Sequence, residues 1–458
     1  TSGMIEEVIV KVVRELGHPQ LAQALDAQTR QEDASDEDLS VYTTEAPIAK
    51  TAEDASSLCL QNWSMEQIFS RELTRAQNEG LILLAGREAP DRLAGGLLDL
   101  TSGLMQGLAE ASRILGRVLV VESAESLIEE VSDLHSAAEL ANREIILNVN
   151  AHRPPSKVDS GPLFAEEEPI DPIEQSKLGD RVLEQIVHPH RRGDLTLDWH
   201  LSKSDLARSR LARLLRVARF ACARSIRFVF DRPRKPIWLA EGIQARHPYV
   251  LQVVGLNLWR LAQLGADRFF DNLDNLCRMA LSAGIQKREH LRRQSAEQPE
   301  LGRAFLTQRA RLLVTPVGLE KAVRHLSGQG LSHSEALAMA CRILESMRSL
   351  LQEEGRRCAI HSCVDSPLSR ELKGREDEGG VTCWNATPPS VQIETMAKLH
   401  EVTGGGTGVI LTEETPSAEQ VVDWIQKAWQ SGTLHRLQIM PIEPEGRQLT
   451  FTGTFGLS

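Results

Sequence analysis

Among the residues whose types and spacing could do chemistry, two cysteines and a histidine come first. Cys358 and Cys363 flank Ala359-Ile360-His361-Ser362, and on a strand both thiols and His361 could line one mouth of a fold. That would suit a redox pair or a metal, but no two further ligands stand nearby, and buried structural thiols are the commoner use. The seven cysteines are scattered with no Cys-x-x-Cys pair, so neither a disulfide framework nor a zinc site is expected, and no metal. Gly404-Gly405-Gly406 could bring backbone amides close to a phosphate. No Lys or Arg follows it, so a tight turn before a strand at 409–411 is the simpler reading. Asn148 and Asn150 lie two apart in an alternating run and would share one face of a strand. The chain contains no Walker loop, no His-Glu-x-x-His and no Gly-x-Ser-x-Gly.

The most basic segment, 205–230, carries Arg208, Arg210, Arg213, Arg216, Arg219, Arg224 and Arg227, interleaved with Leu206, Leu211, Leu214, Leu215 and Val217. This spacing predicts an amphipathic helix followed by a strand at 226–230. Its arginines either offer an anionic ligand a surface or form a solvated face balanced by the acidic remainder, and the second is the commoner case.

The elements that must position these residues are set by the apolar periodicity. A run at 253–258 containing Asn257 reads as a strand. It is followed by a helix with Phe269, Phe270, Leu273, Leu276 and Cys277 on one face. A second apolar run, Leu312-Leu313-Val314, closes at Thr315-Pro316-Val317-Gly318 before another helix begins at Leu319. Strand, helix, strand, helix is the rhythm of a parallel α/β barrel or sheet. Upstream, residues 4–30 read as a helical hairpin, 31–54 as an acidic linker, and 64–79 as a helix with Ser64 and Gln67 in capping-box spacing. Residues 143–150 form a strand, and 154–172 a Pro-rich surface loop.

With 458 residues, 41% hydrophobic and 25% charged, the composition is that of an ordinary soluble globular protein. The net charge of −11 and pI near 5.7 argue against nucleic-acid binding. Neither a membrane-spanning run nor a signal pattern is seen, so a cytoplasmic location is expected.

Residues 257–293, followed by Val314–Gly328 and its glycine turn, resemble the barrel of the anaerobic, class III ribonucleotide reductases, glycyl radical enzymes that reduce ribonucleoside triphosphates. Asn257, Leu258, Gly318, Leu319 and Ala322 match the family pattern, while Trp259 replaces a proline and Glu320-Lys321 an Asn-Glu pair. Further on, Ser366-Pro367-Leu368 and Arg370-Glu371-Leu372 match in register, as do Asn385, His400, Gly404 and Gly405, with Ala386 and Pro388 in place of a serine and a histidine. The N-terminal hairpin resembles the last two helices of an ATP-cone.

This resemblance implies an α/β barrel of the glycyl-radical type over 55–440, an N-terminal helical appendage at 1–30 as an ATP-cone remnant, and a tail at 441–458. It also implies a substrate site at Asn257, Gly318, Asn385, Gly404 and Gly405, a nucleotide ligand, and a homodimer or an association with an active reductase. An active member would carry a glycyl radical installed by a radical-SAM activase, and the candidate is Gly453, which sits in Phe-Thr-Gly-Thr-Phe without the family's arginine and valine. The family also needs a cysteine on the loop matching 233–250, which here offers Trp238, Glu241 and Tyr249, and a cysteine set near the C-terminus, whereas none follows Cys383. Cys222, the nearest cysteine to that loop, is more suited to packing. The expectation is therefore a degenerate, non-catalytic relative. The alternative is an active reductase whose radical residues have moved or come from another chain.

Overall fold

The computed structural model describes residues 48–98, 104–122, 144–151, 177–183, 195–221, 226–294, 309–354, 358–360 and 388–441, apart from a few single positions within them. The expected N-terminal hairpin, the Pro-rich loop, Cys222, His361 and Cys363 lie outside these residues.

The chain divides into two compact units, residues 1–75 with 86–90, and residues 76–85 with 91–458. In the first, α1 (Ile48–Gln67) begins inside the stretch expected to be a linker. Ser64 therefore does not start a helix. It lies within α1, and its hydroxyl donates to the Arg87 carbonyl at 2.9 Å. The helical pattern over 64–79 is broken, because α1 ends at Gln67 and α2 covers Arg71–Asn78.

The second unit is built on one eleven-stranded sheet. Its strands are β1 (Ile82–Leu84), β2 (Leu93–Leu97), β3 (Leu115–Val121), β4 (Glu144–Val149), β5 (Leu195–Leu201), β6 (Ile226–Phe230), β9 (Tyr249–Asn257), β10 (Arg311–Val317), β11 (Cys358–Ile360), β12 (Thr407–Thr412) and β13 (Arg436–Pro441). A small hairpin, β7 (Trp238–Ala240) and β8 (Ile243–Gln244), stands apart from it. The order is β11-β10-β9-β2-β3-β4-β5-β6-β13-β12, with β1 added on β9. Neighbours are parallel except at β2–β9, β6–β13 and β1–β9. Strands β2 to β6 thus run one way and β9 to β13 the other. The parallel pairing expected around 251–258 holds on the β10 side only; β1 and β2 border β9 antiparallel.

The strands read as near-continuous apolar runs because both faces of the sheet are covered. One face packs Leu147, Leu197, Trp199, Phe228 and Leu437 against α4 (Leu211–Ala218), α9 (Pro389–Thr403) and α10 (Ala418–Gln430). Among the other helices, α3 covers Leu104–Ile114, α5 Leu258–Gln263, α6 Phe269–Gln294, α7 Leu319–Ser327 and α8 Ser334–Glu354. The seam of α6 buries Phe269, Leu273, Leu276, Cys277, Ala280 and Gly284, the face expected from its periodicity except that Phe270 is turned outward. The opposite sheet face packs Val118, Val120, Ile146, Val253 and Leu313 against Leu239, Ala240 and Ile243 of the hairpin. The stretch between β6 and β9 therefore folds onto this inner face instead of forming an outer crossover.

Candidate functional site

The polar groups of the inner face follow from strand alternation. Asp198 and His200, two apart on β5, point the same way. Asn148 on β4 and Arg227 on β6 stand opposite Asp198, and Val229 stands opposite both His200 and Arg436 of β13. The result is a polar row on a sheet that is otherwise apolar.

Asp198 is fully buried, and Arg227 and Arg436 are 1% and 2% exposed. Arg227 Nε donates to Asp198 Oδ1 at 2.6 Å, and Arg436 Nε lies 3.1 Å from Oδ2. The second contact is short but poorly aligned for a hydrogen bond, so it acts mainly through charge. One carboxylate thus holds two guanidinium groups in the interior.

Beside it, His200 Nδ1 sits 2.9–3.0 Å from both oxygens of Asp231, and Nε2 sits 2.8 Å from Asn148 Oδ1. The Asn148 amide nitrogen donates to the Val121 carbonyl at 2.7 Å, which fixes its oxygen toward the ring. Both ring nitrogens therefore face oxygen atoms of neighbouring side chains. Asn150 also reaches this histidine, donating to the His200 carbonyl at 3.2 Å from a left-handed backbone at φ 66°. The two asparagines expected on one face do converge, on His200. With every His200 nitrogen engaged, the group is built to hold strands together and not to abstract a proton from a ligand.

The hairpin is fastened to this row. Arg436 Nη2 donates to the Trp238 carbonyl at 3.0 Å. The Trp238 ring meets His435 edge-on with centroids 5.9 Å apart, and Arg311 lies over it at 6.0 Å. At the turn, Gly242 has φ +69°, and a Cβ there would stand 2.4 Å from Leu313 Cδ2. Gly242→Ala is therefore expected to destabilise the protein by about 2–4 kcal/mol, combining left-handed strain with overpacking. A urea titration measures this; a change within ordinary error would show that the hairpin is not seated against β10.

Arg232, the residue after Asp231, donates to the carbonyls of Ala428 and Trp429 at 3.0 Å and also to that of Leu434. It caps the C-terminal end of α10 while stacking over Phe230 and Trp429 at 5.3 and 5.2 Å. Burial lowers its pKa to about 10. His435 is pushed down to about 4, first by burial and then by the charges of Arg232, Lys235 and Arg436.

The residues expected from the family resemblance fall elsewhere. Asn257 ends β9 and caps α5: its amide nitrogen donates to the Gly80 carbonyl at 2.9 Å, and its oxygen accepts from the Arg260 amide at 3.0 Å. Gly318 follows β10 beside it in a left-handed conformation, at the start of α7, with Trp259 so close that a Cβ would stand 2.9 Å away. Gly404 is the left-handed cap of α9, and Gly405 leads into β12. Because β12 runs in the same direction as β9 and β10, these glycines sit at the opposite strand end from Asn257 and Gly318. The triple glycine is the tight turn before a strand that its composition suggested. Asn385 and Gly453 lie outside the described residues.

The arginine helix is shorter than its pattern, α4 with a 3-10 turn at Arg208–Arg210 before it. Arg210 pairs with Asp205 at 2.9 Å, and Asp180 takes Arg213 and Arg216 at 2.9 and 3.3 Å. Arg213 also covers Trp199 at 5.0 Å. Much of the charge is thus neutralised locally, as a balanced helix face would be, whereas Arg227 belongs to the core. Period-2 polarity in β5 and β6 was the available signal for the interior row, masked by the strongly apolar residues between. Among the described residues no cluster of three His, Cys, Asp or Glu is placed to hold a metal, and no helix is long and apolar enough to cross a membrane.

A mixed α/β unit on a large, mostly parallel sheet matches the fold of the anaerobic ribonucleotide reductases. No family model matches the chain, and no curated protein matches it by sequence. Among solved structures, one described as an anaerobic ribonucleotide reductase superposes with a TM-score of 0.63 at 14% identity, covering 95% of this chain and 84% of that one. The anaerobic ribonucleotide reductase from Thermotoga maritima with dATP in its specificity site gives 0.62 at 14% identity, covering 94% and 89%. The same enzyme with citrate in its active site gives 0.63 at 14%, covering 94% and 98%.

Proposed function

We propose that this chain is a non-catalytic relative of the anaerobic ribonucleotide reductases, retained to bind a nucleotide or to regulate a partner protein. The observation that carries the proposal is the hairpin. Where the resemblance calls for a thiyl-forming cysteine, the described residues between β6 and β9 include Trp238, Leu239, Ala240, Gly242 and Ile243, and none of these side chains can form a thiyl radical. They are packed against the inner face, held by Arg436 and Leu313, so the loop is fixed in place without the group that would do the chemistry.

The decisive test is anaerobic incubation with a radical-SAM activase and S-adenosylmethionine, read by electron paramagnetic resonance. No glycine-type doublet is expected, and no deoxynucleotide should form from ribonucleoside triphosphates. A doublet that disappears in Gly453→Ala, together with deoxynucleotide product, would establish an active reductase instead. Calorimetry with ribonucleoside triphosphates tests the binding half of the proposal, for which saturable heat is expected; none would leave regulation of a protein partner as the retained role.

A further inference from the structure

We draw no further inference here: the strongest candidate, the exposed face of α4 and its flanks that carries Arg208, Leu211, Arg216 and Arg219, is already met in part by Asp180 and Glu419, and nothing in the structure shows what covers the rest of it.

Discussion

Asp198→Ala is expected to lower the stability of the chain by about 3–5 kcal/mol, the cost of leaving buried charge without its partner. Asp198 contacts both Arg227 and Arg436, and both arginines are sealed from water. Removing it leaves two guanidinium groups repelling each other across β6 and β13, an antiparallel junction of the sheet. Asp198→Asn keeps the shape and loses the charge, so it should fall close to the alanine variant. Replacing all three residues together by apolar ones of similar size should recover much of the loss, because no charge then remains to be solvated. Urea unfolding followed by circular dichroism measures each variant. A loss below about 1 kcal/mol for Asp198→Ala would mean that water or another group already serves the arginines.

Acid should weaken the fold well above the range where carboxylates titrate. His435 has an ordinary pKa of 6.5 and is held at about 4 in the folded protein by burial and by Arg232, Lys235 and Arg436. Between those values the unfolded chain binds a proton that the folded chain refuses. Stability is therefore complete above about pH 6.5 and falls as the pH drops toward 4, levelling off below that. The expected loss is about 2 kcal/mol between pH 7 and pH 5. His435→Phe, which keeps the ring beside Trp238 but cannot be protonated, should flatten that slope. A wild-type slope unchanged by this substitution would show that other groups govern the acid response.

The alternation of elements was legible because each rests on local patterning. Alternating and continuous apolar runs gave β4, β6, β9 and β10, and the three-and-four spacing gave α6, since burial of one face imposes those periods whatever the partner. Gly404 was readable as a turn for a similar reason: its left-handed backbone is a local requirement that glycine meets at no steric cost. Asn257 was visible as the odd polar residue in an apolar run. Its fold-level use, however, is to cap α5 and bind the Gly80 carbonyl, a contact across 177 positions of sequence.

What only the tertiary structure decided is which strands adjoin. Asp198 and Arg436 are far apart in the chain, and they meet because β13 returns antiparallel beside β6. The same return places His435 against Trp238, and the seating of the hairpin brings Arg311 of β10 over the same ring. No local period encodes such a pairing, because sheet order is set by the packing of whole layers. Seven arginines in the segment 205–230 looked alike as a charge run, yet Arg213 covers a tryptophan and Arg227 lies in the core. Composition fixes the number of charges, and the sheet fixes which of them lose their water.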